Sequence, residues 1–167
     1  LPLTRSRVMG NLLVFGYGSL MNPESLAKTS AAARIVSRVT LTGYQRKANA
    51  MHDAFPEVAM NVVPNEAHAV VGTLIEFPEV DLPALRQRET GYEMVDVTQS
   101  LREPIAGPVF TFIAPNVSEY HGKRIRREYL DVCLGGVPNE EREQWLLETV
   151  VECGISDEPK DRLYRHS

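Results

Sequence analysis

Two short stretches of this 167-residue chain combine residue types and spacings that can do chemistry. The first is Phe15-Gly16-Tyr17-Gly18-Ser19-Leu20-Met21-Asn22-Pro23. Leu12 to Phe15 have the composition of a buried strand, Gly16 and Gly18 permit backbone conformations closed to other residues, and Asn22-Pro23 supplies a helix N-cap followed by proline at the first helical position. The turn between strand and helix leaves the backbone N–H groups from Tyr17 to Met21 to bind a carboxylate or a developing oxyanion, aided by the positive end of the helix dipole. It is neither GxGxxG, since no third glycine stands at Met21, nor a P-loop, since no Gly-Lys-Ser/Thr follows, so nucleotide binding is disfavoured. The second stretch is Arg88-Glu89-Thr90-Gly91-Tyr92-Glu93. A carboxyl at the last turn of a helix sits against the negative end of the dipole, which disfavours ionisation and suits a general acid/base near neutral pH. The competing reading of Glu89 is an exposed glutamate paired with Arg86 or Arg88.

The elements that must position these residues follow from periodicity and turn chemistry. After the helix of Pro23 to Thr29, Ala33 to Leu41 alternates as a strand and continues past Gly43 towards Ala48. Val58 to Val63 and Ala69 to Phe77 read as strands joined in a hairpin at Pro64-Asn65-Glu66. A helix from Asp81, as N-cap, to Gly91 precedes strands over Tyr92 to Leu101 and Val109 to Ala114. Helices are expected over Lys123 to Leu134, ending at Gly135-Gly136, and from about Glu140 to Glu152. That order predicts an α+β domain built on a curled, mostly antiparallel sheet.

Composition narrows the function. The length suits one domain spanning 1–167, with residues 1–10 as an N-terminal extension and Met9 as a candidate native start. A formal net charge of −4 gives no overall basic field, so no nucleic-acid partner is expected. The one basic cluster, Lys123, Arg124, Arg126 and Arg127, reads with Glu128 and Asp131 as a solvated helix face. Cys133 and Cys153 are too far apart for a CxxC pair and read as buried thiols of a reducing cytoplasm. His52, His68, His121 and His166 show no metal-ligand spacing, so no metal site is expected, and no apolar stretch reaches membrane-span length.

Taken together, Phe15-Gly16-Tyr17-Gly18-Ser19-Leu20, Arg88-Glu89 with Gly91-Tyr92, and Tyr129-Leu130 before Gly135-Gly136 and Pro138 resemble the gamma-glutamylcyclotransferase superfamily, including its AIG2-like and ChaC-like branches. The resemblance extends from about Leu12 to Trp145. It implies a small closed, mostly antiparallel β-barrel flanked by helices, and release of 5-oxoproline from a gamma-glutamyl amine, peptide or amino acid without a cofactor. It also implies Glu89 as the catalytic acid/base, and substrate contacts from Tyr17, Gly18, Ser19, Leu20, Tyr92 and Tyr129. Leu20 stands where the glutathione-turnover enzymes of animals carry asparagine, and the arginine-glycine-threonine element of the ChaC-like branch is absent after Phe55, so glutathione is not the expected substrate. Arg46 is the best positive charge for a second substrate group, with a structural ion pair as the alternative. A related amide hydrolase or acyl transferase, or a non-catalytic small-molecule-binding module of the same fold, are the other readings.

Overall fold

The computed structural model describes residues 10–51, 57–115, 117, 124–149 and 154–157. Strands β1 (Asn11–Gly16), β2 (Arg34–Met51), β3 (Glu57–Pro78), β4 (Glu93–Asp96), β5 (Val109–Ile113), β6 (Arg124–Arg126) and β7 (Gly154–Ser156) form one sheet. Helices α1 (Pro23–Thr29), α2 (Leu82–Arg88), α3 (Arg127–Leu134) and α4 (Arg142–Glu148) flank it. The fold is α+β, as expected.

β3 organises the sheet. Most of its length runs antiparallel to β2, from Arg34 opposite Glu76 to Met51 opposite Val58. On its other edge it pairs with β1 at one end and with β6 at the other. The long ladders are antiparallel, while β1–β5, β3–β6 and β6–β7 run parallel. Isolated bridges from Leu41 to Leu101 and from Ala50 to Val117 tie β2 to the segments after β4 and β5, curling the sheet toward a barrel. Among the described residues no continuous ladder completes the ring. The concave side encloses one apolar cluster that includes Phe15, Tyr17, Leu41, Met60, Val62, Ile125 and Tyr129. A second cluster, with Val14, Leu20, Leu26, Ile75, Phe77 and Leu85, seats α1 and α2 against β1 and β3. β1 therefore buries side chains on both of its faces, which explains its unbroken apolar run.

Several elements depart from the sequence expectation, each for a local reason. The segments 58–63 and 69–77 are not a hairpin. They are parts of one strand that pair in succession with β2, which is long enough to serve both. Tyr44 faces Pro64 and Thr42 faces Ala69, so residues 65–68 bulge out opposite Gly43. Pro64 has no N–H to give the ladder, and Gly43 takes a φ of 80° that other residues rarely adopt. β4 stops at Asp96 because its carboxylate accepts from the Thr98 backbone N–H (2.9 Å) and hydroxyl (2.6 Å), starting a 3-10 turn. Asp81 does not cap α2; its carboxylate accepts from Ser30 Oγ at 2.6 Å, tying α1 to α2.

The predicted helix from Lys123 begins only at Arg127, because Arg124–Arg126 is taken into the sheet between β3 and β7. The basic cluster is therefore not one solvated helix face. Arg124 and Arg127 are exposed, with Arg127 paired to Asp157, but Arg126 is only 2% exposed. The last helix opens with a 3-10 turn at Asn139–Glu141 and gives way to an extended residue at Thr149. β7 has no counterpart among the expected elements. Lys123, residues 150–152 of the predicted last helix, Cys153, His52, His121, His166 and the extension 1–9 lie outside the described residues. No helix among the described residues is long and apolar enough to cross a membrane.

Candidate active site

The turn after β1 is built much as its residues suggest. Gly18 leads into a 3-10 turn at Ser19–Met21, and Asn22 then caps α1, its Oδ1 accepting from Glu24 N (2.9 Å) and Ser25 N (3.3 Å). Such a cap contributes about 1 kcal/mol. The Asn22 amide also donates to Val132 O at 2.9 Å, tying the turn to α3. Gly135 and Gly136 permit that approach: a Cβ on Gly136 would stand 2.3 Å from the Met21 carbonyl carbon, and one on Gly135 2.4 Å from the Asn22 amide nitrogen. One expected donor is spent, because Met21 N–H donates to Gly18 O at 3.1 Å. The candidate anion-binding amides narrow to those from Tyr17 to Leu20.

Side chains of the turn point elsewhere. Tyr17 is fully buried and its hydroxyl donates to Phe112 O at 2.5 Å, while Leu20 packs into the cluster beneath α1 and α2. Both side chains brace the turn from within the core. Ser19 is buried, and its Oγ accepts from Arg88 Nη2 at 2.9 Å.

Glu89 is the residue that ends α2, with its N–H donating to Leu85 O at 2.9 Å. It is not the exposed helix-end glutamate of the competing reading, since it is only 2% exposed. Arg88 Nε lies 3.9 Å from Glu89 Oε2, too long for a hydrogen bond and close enough for charge interaction. Arg86 is exposed and turns toward Met94 Sδ instead. The turn and the carboxyl, predicted separately, are thus linked through one guanidinium, a bridge the sequence analysis did not anticipate. The available signal was a basic residue in the last turn of a helix, next to the candidate acid.

Tyr92 and Tyr129 meet at one residue of β3, Met60. Tyr92 Oη donates to Met60 O at 2.7 Å, and Met60 N donates to Tyr129 Oη at 2.9 Å. Burial pushes the Tyr129 hydroxyl well above its ordinary value, with Cys133 and Tyr92 adding to the effect. Cys133, hydrogen-bonded to Tyr129, is pushed up to about 12, chiefly by burial. It stays a thiol at neutral pH and is no nucleophile. No group of three or more His, Cys, Asp and Glu among the described residues is placed to hold a metal ion.

Arg46 does not stand ready for a substrate group, and among the described residues it forms no ion pair of the kind that was the alternative. It is 1% exposed, and its guanidinium donates to Tyr17 O (2.9 Å), Val71 O (2.7 Å) and Thr149 Oγ1 (3.3 Å) while lying 4.5 Å from the centre of the Trp145 ring. Burial lowers it to about 10, so it remains a cation at neutral pH. Arg46 fastens the turn to β3 and α4 from behind. Arg46→Met strands two buried carbonyls, and we expect it to cost about 3 kcal/mol, read as a lower urea midpoint with an unchanged slope. An unchanged midpoint would remove Arg46 from the support of the turn. A separate cleft of about 420 Å³ opens on that rear side, with Ile35, Val71, Thr73, Val137 and Trp145 among its walls; Glu89 is not one of them.

Residues 14–131 match the family described as "Gamma-glutamyl cyclotransferase, AIG2-like". The chain belongs to this family. The resemblance drawn from the turn and the Glu89 segment is thereby borne out. Among solved structures, an uncharacterised human protein shares the fold at a TM-score of 0.68 and 16% identity, over 95% of this chain and 94% of that one. A protein described as a gamma-glutamyl cyclotransferase gives a TM-score of 0.68 at 15% identity, over 94% of both chains. YkqA from Bacillus subtilis gives 0.67 at 17% identity, over 87% of this chain and 55% of its own. At these identities the likeness is one of fold. No curated protein sequence matches significantly. Within this AIG2-like chain, the glycine turn and the Glu89 segment fall inside the matched residues, while of the third segment only Tyr129-Leu130 does and Gly135-Gly136 and Pro138 lie beyond them.

Proposed function

We propose that this AIG2-like protein is a cofactor-independent gamma-glutamyl cyclotransferase of the cytoplasm, acting on a gamma-glutamyl amine, peptide or amino acid. One observation carries the reading: a buried carboxyl, Glu89, lies one residue from the arginine that holds Ser19 of the glycine turn. In the proposed reaction Glu89 takes a proton from the substrate's α-ammonium. The freed amine attacks the γ-carbonyl carbon, forming the ring C–N bond. The oxyanion that develops is met by amides of the Tyr17–Leu20 turn. Its collapse breaks the original amide bond as Glu89 returns that proton to the departing nitrogen, and the second proton, shed by the ring nitrogen as it becomes the lactam N–H, ends on the released amine, leaving 5-oxoproline and an ammonium. Tyr92 and Tyr129, pinned at Met60, wall the site beside Glu89. Holding the glutamyl chain folded back on itself supplies much of the rate, because it makes attack at the γ-carbon the favoured encounter.

A panel of gamma-glutamyl amines, dipeptides and isopeptides, assayed for 5-oxoproline by mass analysis, tests the proposal. At least one class is expected to give 5-oxoproline and free amine in equal amounts. Free glutamate from the outset, with no 5-oxoproline, would instead assign the chain to amide hydrolysis.

A further inference from the structure

We propose that Arg88 is a positioning residue, which holds the Tyr17–Leu20 turn in register with the Glu89 carboxyl and supplies the positive charge that keeps Glu89 in its proton-accepting form. The inference rests on the reading of Glu89 as acid/base.

The guanidinium of Arg88 is spread across three parts of the site. Nη1 donates to Ser25 O (2.8 Å) and to Thr29 Oγ1 (2.9 Å), both on α1. Nη2 donates to Ser25 Oγ (2.7 Å) and to Ser19 Oγ (2.9 Å) in the turn. Nε faces the Glu89 carboxylate at 3.9 Å. The side chain is 13% exposed, against 0% for that of Glu89. Both terminal nitrogens thus have each of their two protons engaged, which fixes the plane of the fork and with it the edge turned to Glu89. A tie between helices alone would need only the α1 partners. The bond to Ser19 reaches into the turn that is to bind substrate, and the Nε edge reaches the carboxyl that is to move the proton. One rigid planar group therefore sets the spacing between the two halves of the machinery.

Its charge matters in this setting. Burial lowers the Arg88 pKa from its ordinary value, while Glu89, and to a smaller extent Tyr129 and Cys133, raise it. Among the described residues, Tyr129 and Cys133 on α3 act on Arg88, and Tyr92 ahead of β4 acts in turn on Tyr129. Tyr129 and Cys133 stay protonated at neutral pH, and Arg88 places a cation 3.9 Å from the Glu89 carboxyl. A neighbouring cation favours the carboxylate. Removing it raises the pKa of Glu89, and a reaction that needs the carboxylate then loses its rate at a higher pH on the acidic side.

Arg88→Met, Arg88→Lys and Ser30→Ala separate these roles. Arg88→Met is expected to lower kcat by about 100-fold, with a smaller effect on KM, since a misplacement of the order of an ångström costs that much. Its acidic limb is expected to move to higher pH. Arg88→Lys restores the charge without the fork, so its limb returns toward that of the parent while kcat stays depressed. Ser30→Ala loosens only the tie between α1 and α2 through Asp81, without touching the Arg88 fork, and lowers Tm with kcat and limb unchanged. Wild-type kcat and limb in Arg88→Met, with only Tm reduced, would make Arg88 a structural tie and overturn the proposal. Carbon-13 titration of the Glu89 carboxyl in parent and Arg88→Met reads the charge effect without turnover. An upward shift supports the proposal even if no gamma-glutamyl compound is turned over, and no shift overturns it.

Discussion

Glu89→Gln is expected to fold with an unchanged urea midpoint, bind substrate with KM within about threefold of the parent, and turn it over about 10³- to 10⁴-fold more slowly. The amide matches the carboxyl in shape, so the packing around a side chain with 0% exposure is preserved. Its ability to carry a proton is not. The loss corresponds to about 4–5 kcal/mol of transition-state stabilisation, far more than a surface ion pair of the kind first weighed for this residue contributes. The size of the effect is therefore what separates a proton carrier from an ion-pair partner. Steady-state kinetics on the best substrate of the panel, with 5-oxoproline quantified, provides the measurement. More than about a tenth of the parent rate would remove Glu89 from the mechanism.

An N-acetylated gamma-glutamyl substrate is expected not to react at all. Its γ-amide and α-carboxylate are intact, but its nitrogen no longer has a basic lone pair with which to attack the γ-carbon. Water attack does not depend on that nitrogen, so a hydrolase of the same fold would still release the amine. Acetylation also adds bulk, and the blocked compound is therefore tested first as a competitive inhibitor of the parent substrate. Inhibition without turnover is the expected result. Amine release from the blocked compound at a rate near that of the parent would replace cyclisation by hydrolysis.

The sequence revealed the two halves of the candidate site because each is local. The glycine spacing of Gly16 and Gly18 and the Asn22-Pro23 cap are written in consecutive residues and are built as those signals predict, and the helix read from Asp81 to Gly91 is present, though it stops at Arg88 with Glu89 closing it. Their connection is not local. The bond from Arg88 to Ser19 joins positions 69 residues apart, and Tyr129 reaches Met60 across the same separation, so no pattern in either segment announces it. The basic cluster was misjudged for a related reason. Arg126 has the helical spacing of a surface residue, yet it is recruited into a three-residue strand by β3 and β7, which are distant in sequence. Arg46 was read by its charge, whereas burial against Tyr17 O and Val71 O turned that charge into a fastening. The hairpin at Pro64-Asn65-Glu66 failed because turn residues mark a break in ladder hydrogen bonding, which serves a bulge as well as a reversal.

The β2–β3 ladder has a consequence for the order in which the chain assembles. The two strands are separated in sequence only by residues 52–56, so their pairing closes a short loop and is entropically inexpensive. The parallel pairing that sets Leu13 beside Val109 must close almost the whole length between them, and the union of Ser19 with Arg88 must wait for α2 to swing back over β1. The glycine turn is among the first of the described residues to leave the ribosome, but its partners on β3, α2 and α3 are synthesised much later. Until they arrive it is an ordinary loop, and the anion-binding capacity proposed for it depends on residues supplied long after the turn itself.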